Sequence, residues 1–103
     1  MGNLGYPFCP THPGEILKEE IEYRGILQKE LASKMGISHT MLNEILNCKR
    51  PVTAAIALLF EASLGLEAEM FVNMQTRYNM QVARKNKNLL ARFEEVRKAC
   101  AIL

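Results

Sequence analysis

The stretch that decides the fold is QKELASKMGISHTMLNEILN, residues 28–47. Leu31 and Met35 are four positions apart, which places both side chains on one face of a first helix. Leu42 and Ile45 have the spacing of an inward face on a second helix. The pattern therefore predicts two consecutive amphipathic helices whose apolar faces meet.

The residues between and beside these two helices predict how they are joined. Gly36 can take the positive φ that ends a helix, and Ser38 can cap the next helix by accepting a backbone N–H. Ala32 supplies the small side chain that two steeply crossed helices need where they touch. The combined spacing favours a helix-turn-helix that binds DNA over two ordinary core helices. A further alternative is an interaction module in which the helix pair binds protein alone.

With Leu42 and Ile45 turned inward, the outward positions of the second helix carry hydroxyl, imidazole and amide groups. A major groove about 12 Å wide admits one helix, and these groups can match the donors and acceptors of its base edges. We expect the base-reading residues to be Ser38, His39, Thr40, Asn43 and Asn47. Glu44 shares this face, and we expect it to pair with Lys49, to lie at the rim, or to accept from a cytosine amino group.

Contacts to the DNA backbone are expected at both ends of the motif. Gln28 begins the first helix, where its amide and the exposed backbone N–H groups can hold a phosphate. Lys49 and Arg50 directly follow the second helix and can contact further phosphates. For each of these residues the alternative is a solvated polar side chain.

Length and composition describe an ordinary globular domain. The chain has 103 residues, of which 49% are hydrophobic and 23% charged, so one compact domain is expected. A net charge of +2 is too small to indicate nucleic acid by itself, but seven of the thirteen basic residues follow residue 76. The longest apolar run, residues 54–60, is too short to span a membrane, and we expect a cytoplasmic protein without membrane contact.

Catalytic and metal chemistry find little support in the sequence. Cys9, Cys48 and Cys100 are widely scattered, which is not typical of a disulfide framework or a zinc ribbon. Cys9 and His12 could supply two metal ligands, but a tetrahedral site needs four. There is no pairing of a nucleophile with a base and no phosphate-binding glycine loop, so we expect neither an enzyme nor a cofactor.

The start of the chain divides into an arm and a helix. Residues 1–12 hold two glycines and two prolines without any period, and we expect a flexible N-terminal arm. Pro13, with Thr11 or His12 before it and Glu15 close behind to meet the helix dipole, opens a helix that is expected to run to about Arg24 and to stop at Gly25.

Two further helices follow the loop CKRPVT. Thr53 is expected to cap a helix from Ala54 to Leu64 that is apolar on every side and is therefore predicted to be central. Gly65 ends it, and a shorter helix is predicted from Ala68 to about Gln75, with Met74 and either Phe71 or Met70 facing the core. An apolar stripe then continues through Tyr78, Val82, Leu89, Phe93, Val96 and Cys100.

The expected fold is all-α: a five-helix helix-turn-helix domain over residues 13–76 and a helical extension over residues 77–103. The apolar stripe of the extension exceeds what a core of this size requires, so we expect the extension to pack on a partner or to be partly frayed. Outside the helices little β-branched alternation remains, and no strand is expected.

Four blocks of sequence resemble one family of regulators. They are HPGEILKEEI (12–21), ELASKMGIS (30–38), NCKRPVT (47–53) and FVNMQTRYNMQVARK (71–85). Together they resemble the HigA antitoxins, the plasmid-maintenance antidote branch of the Xre-type, lambda-repressor-like helix-turn-helix family. Two positions depart from the usual pattern: Leu27 stands where a Ser or Thr cap is common, and Phe71 where tryptophan is frequent.

The resemblance implies a homodimer that binds an operator in its own promoter and neutralises a HigB toxin, an RNA-cleaving protein encoded beside it. It also implies that the later helices form the dimer contact. The alternative is a free-standing transcriptional regulator of the same family without a toxin partner.

Overall fold

The computed structural model describes residues 11–103, and over this range the chain forms six α-helices and no β-strand. The all-α prediction is confirmed for these residues. The helices are α1 (Pro13–Tyr23), α2 (Gln28–Met35), α3 (His39–Leu46), α4 (Ala54–Leu64), α5 (Ala68–Arg84) and α6 (Lys87–Ala99). Within the described residues no helix is long and apolar enough to cross a membrane.

The predicted helix-turn-helix is present as α2, a short turn and α3. Gly36 ends α2 with φ 76°, and the Ile37 N–H returns to the Ala32 carbonyl at 3.0 Å, as in a left-handed helix C-cap. Ser38 caps α3, its hydroxyl accepting from the Met41 N–H at 3.0 Å. Leu27 offers α2 no side-chain cap, as expected from its aliphatic side chain.

The core lies between the helix-turn-helix, α1, α4 and the first half of α5. α2 packs against α3 and α4, α1 packs against α3 and α5, and α4 lies along α5. The largest side chains sealed in this core are Leu17, Ile21, Leu42, Ile45, Phe60 and Phe71. Helix α3 is therefore held in place by α1 and α2 on its buried side.

Gly14 marks a close approach between α1 and α3. A methyl group on its Cα would overlap the Ile45 carbonyl oxygen and would lie 3.2 Å from the Ile45 carbonyl carbon. Both obstructing atoms belong to the backbone, so no side-chain rotation could make room for them. Glycine at this position lets the first turn of α1 rest directly on the last turn of α3.

His12, one of the two residues predicted to precede the first helix, is buried and caps α1, so the arm predicted for residues 1–12 does not extend to it. Its side chain is 2% exposed, and its Nδ1 accepts from the Gly14 N–H at 2.9 Å to cap α1. Its ring also lies 4.8 Å from that of Tyr78, edge to face at 78°. Burial lowers the pKa of His12, an effect that the negative charge of Glu15 opposes. Residues 1–10, including Cys9, lie outside the described residues.

The fifth helix is longer than predicted. It continues past Gln75 to Arg84, so the expected boundary between residues 76 and 77 falls inside a continuous helix. No glycine or proline interrupts this segment, and the ring contact between Tyr78 and His12 holds its second half against α1. The extension thus begins as a continuation of α5 and not as a separate element, and over residues 11–103 the predicted five helices plus an extension become six helices.

Two predictions about apolar residues also need correction or completion. α4 is not buried on every side: Ile56, Ala57, Phe60 and Leu64 face the core, but Leu58 is 57% exposed. In α5 it is Phe71 that faces the core, together with Met74, while Met70 is largely exposed. α6 is fully helical yet buries no residue, and its apolar side chains remain accessible.

Candidate nucleic-acid interface

The outward side of α3 forms a continuous polar surface, which we call the α3 polar face and which consists of Thr40, Asn43, Glu44 and Asn47. Thr40, Asn43 and Asn47 are exposed and Glu44 is half-buried. On the opposite side of the same helix Leu42 and Ile45 are 0% exposed. The predicted division of α3 into an anchored side and an accessible side is thus present, with Ser38 and His39 exposed at its N-terminal end.

A side-chain hydrogen bond links the α3 polar face to the start of α2. Asn43 donates through Nδ2 to Gln28 Oε1 at 3.3 Å. The Gln28 amide nitrogen keeps two N–H donors for an anion near the exposed start of α2. The structure therefore brings together the residue predicted to clamp a phosphate and a residue predicted to read a base.

Asn47 is held at the C-terminal end of α3 by two hydrogen bonds. Its Nδ2 donates to the Asn43 carbonyl at 2.9 Å, and its Oδ1 accepts from Lys18 Nζ at 3.2 Å. Both ends of its amide are engaged within the protein, so Asn47 caps the helix. Its predicted contact with DNA would have to share these donors and acceptors, and it stays a prediction.

Cys48 turns the chain away from α3. It has φ 64°, a left-handed conformation that is uncommon for a residue other than glycine. Burial, followed by the negative charge of Glu15, raises the pKa of its thiol. The side chain is consequently a protonated, uncharged thiol beside the loop that leads to the predicted phosphate contacts.

Glu44 pairs with Arg50, and not with Lys49 as one of the predicted arrangements had it. Arg50 donates to Glu44 Oε1 from Nε at 3.0 Å and from Nη2 at 2.8 Å. Lys49 contacts Glu44 only through the backbone, where its N–H donates to the Glu44 carbonyl at 2.8 Å. The negative charge of Glu44 on the α3 polar face is therefore neutralised by the guanidinium of Arg50, which reaches back to the helix from the following loop.

Gln75 anchors the far end of this loop, and the sequence reasoning missed it. The side chain is 6% exposed; its Oε1 accepts from the Val52 N–H at 2.8 Å and its Nε2 donates to Asn79 Oδ1 at 2.9 Å. A signal was present, because Gln75 lies four positions after the buried Phe71 and so on the same core-facing side of α5. A polar side chain at such a position requires a buried partner, which here is a loop N–H.

Comparison with known proteins identifies the family. No protein-family model matches the chain. Virulence-associated protein I of Dichelobacter nodosus is 38% identical over 77 residues, which are 74% of this chain and 71% of that protein. Antitoxin HigA-1 of Vibrio cholerae is 32% identical over 85 residues, covering 82% of this chain and 80% of that protein. The chain belongs to the HigA family of antitoxins.

Solved structures agree with this assignment. An addiction-module antidote protein of the HigA family from Coxiella burnetii superposes with a TM-score of 0.68 at 35% identity, covering 75% of this chain and 85% of that one. The Pseudomonas aeruginosa protein PA4674, solved in complex with its operator DNA, superposes with a TM-score of 0.69 at 28% identity, covering 79% and 89%. The relatives include antitoxins of the HigA family and an HTH-type transcriptional regulator of Escherichia coli, none of which is an enzyme, and this chain is not an enzyme.

Proposed function

We propose that this HigA-family protein is a homodimeric antitoxin that binds an operator in its own promoter, represses its own operon and neutralises a HigB-type RNA-cleaving toxin. The DNA-binding part of this proposal is supported by the two sides of α3. The α3 polar face is accessible on one side of the helix, and Leu42 and Ile45 on the opposite side are completely buried. A relative with the same fold, PA4674, is bound to its operator DNA.

The contacts follow from the position of each side chain on the motif. Asn43 can bond bidentately to adenine and Thr40 can touch a thymine methyl group or a phosphate, while Ser38 and His39 lie at the end of α3 that meets base edges first. Gln28 and Lys49 supply phosphate contacts on either side. The positive charge of Lys49 makes the affinity fall as salt concentration rises.

We propose that residues 77–103 form the contact between the two copies of the dimer. Over this part of α5 and α6 a series of large apolar side chains stays between 40% and 53% exposed: Met80, Val82, Leu90, Phe93 and Val96. A second copy would cover these side chains and would set two reading helices about 34 Å apart, one helical turn of DNA. The predicted operator thus contains two half-sites at that spacing.

The reading face is tested by a mobility shift on DNA taken from upstream of the gene. A variant carrying Thr40→Ala and Asn43→Ala is expected to lose roughly tenfold or more in affinity, since each base contact contributes about 1–3 kcal/mol. Asn73→Ala with Thr76→Ala is the matched control, because it removes the same side-chain types from exposed positions of α5. Equal binding by the first variant and the wild type would show that the reading face is assigned wrongly.

The toxin partner is tested separately. The reading frame beside the gene is expected to encode a small basic RNA-cleaving protein whose expression arrests growth, and co-expression of this antitoxin is expected to restore growth. If the neighbouring frame encodes no such protein while the operator is still bound, the protein is a free-standing regulator of the same family.

A further inference from the structure

The pairing of Glu44 with Arg50 gives a function to a carboxylate that otherwise opposes DNA binding. Glu44 belongs to the α3 polar face together with Thr40 and Asn43, so an approaching duplex meets it at the same time as those residues. An unpaired carboxylate at that point would repel the phosphates. The structure instead shows a carboxylate that holds a cation against the helix.

The geometry of the guanidinium leaves one edge available. Nε and Nη2, the two nitrogens of its side-on edge, both donate to Glu44 Oε1 at 3.0 and 2.8 Å. An arginine side chain has five N–H donors, so the end-on edge, with Nη1 and the second hydrogen of Nη2, is not used by this pair. The side chain is also partly accessible, at 47% of its surface.

The loop that carries Arg50 is restrained on both sides. The Lys49 N–H donates to the Glu44 carbonyl at 2.8 Å, and the Val52 N–H donates to the buried Gln75 at 2.8 Å. Two backbone anchors flanking Arg50 limit the positions that its Cα can occupy. The ion pair with Glu44 then directs the side chain back toward α3 and not outward along the loop.

We propose that Arg50, oriented by Glu44, reads a guanine in the operator. This inference rests on the proposed DNA-binding function. The two parallel N–H groups of the free edge match the O6 and N7 acceptors of guanine in the major groove, which is the geometry of a bidentate arginine contact. Glu44 is a positioning residue: it touches Arg50 and not the base, and it cancels its own charge by doing so.

Base preference is the measurement that separates this role from a phosphate contact. Fluorescence anisotropy is recorded for the wild type, Arg50→Lys and Glu44→Gln on a set of operators that each carry one substituted base pair. The wild type is expected to prefer G·C at one position in each half-site. Arg50→Lys is expected to lose that preference by roughly 5- to 150-fold and to keep the preferences at all other positions.

The direction in which Glu44→Gln changes operator affinity distinguishes a positioning carboxylate from a merely repulsive one. Removal of a purely repulsive carboxylate would tighten binding to every operator. The positioning role predicts the opposite, with weaker binding and a reduced preference at the same G·C position that depends on Arg50. Glu20→Gln is the matched control, because it removes a carboxylate from another partly exposed arginine pair, that of Glu20 on α1 with Arg24 just after the helix.

Three outcomes overturn the inference. Equal weakening of all operators by Arg50→Lys would make Arg50 a phosphate contact. Tighter binding by Glu44→Gln would make the carboxylate only repulsive. A wild type with no G·C preference that is sensitive to Arg50 would remove the guanine contact. Failure of the wild type to bind any upstream DNA refutes the proposed function itself, and is therefore a distinguishable result.

Discussion

Replacement of Gly14 with alanine tests the contact that sets α1 against the end of the reading helix. The new methyl group would overlap the Ile45 carbonyl oxygen, would lie 3.2 Å from the carbonyl carbon and would come within 3.0 Å of His12 Nδ1. Because the first two atoms belong to the backbone of α3, the two helices must separate. The third atom is the acceptor that caps α1, so the same methyl group also disturbs the cap.

The expected free energies predict that Gly14→Ala destabilises the protein. Overpacking of this kind costs about 1–3 kcal/mol, and a weakened N-cap costs about 1 kcal/mol more. The higher helix propensity of alanine returns at most about 1 kcal/mol. We therefore expect Gly14→Ala to lower the free energy of unfolding by roughly 1–3 kcal/mol, and to weaken operator binding because the C-terminal end of α3 moves.

Urea denaturation measures this change as a lower midpoint with an unchanged slope. Ser33→Ala is the control, since it places alanine at an exposed helical position and yields the propensity gain without any overlap. A Gly14→Ala protein as stable as the wild type, or more stable, would refute the argument that glycine is required for the close packing of α1 on α3.

Three further predictions concern individual hydrogen bonds. Gln75→Leu leaves the buried Val52 N–H without an acceptor and is expected to lower the free energy of unfolding, measured by urea denaturation, by about 1–3 kcal/mol. Asn79→Ala removes only the outer partner of Gln75 and is expected to lower it by less. Equal losses in the two variants would contradict this prediction. Burial lowers the pKa of His12 below its ordinary value of 6.5, so the unfolded chain binds the proton more tightly and the stability of the fold falls as pH drops below about 6.5. His12→Asn keeps a capping acceptor and is expected to lose this pH dependence in thermal melts. A pH dependence that persists in the variant would assign the effect to another group. Ser38→Ala removes the cap of α3 and is expected to lower the free energy of unfolding by about 0.5–2 kcal/mol. A melting temperature equal to that of the wild type would contradict this prediction.

The helix-turn-helix was predictable because its signals are local. The spacing of Leu31, Met35, Leu42 and Ile45 depends only on the helical period, and all four side chains are buried in the structure. The caps at Ser38, Thr53, Gly36 and Gly65 likewise depend on the residue and its nearest neighbours along the chain, and each forms as predicted.

The predictions that went wrong concern contacts between distant segments. The end of α5 was placed near Gln75, but its continuation is accompanied by the contact between Tyr78 and His12, which are 66 positions apart in the chain. Exposure of Leu58 in an apolar helix could not be foreseen either, because hydropathy cannot tell which side of α4 has a neighbour.

The sequence by itself determined an all-α chain, the helix-turn-helix, its caps and the set of polar residues on the outward side of α3, since helical periodicity and capping act within a few residues. Only the tertiary structure decided that Glu44 would hold Arg50, that Gln75 would anchor the loop at Val52, and that Gly14 would admit α1 against Ile45. Those contacts depend on distances between elements, which arise when the shared core packs and are not encoded in any single segment.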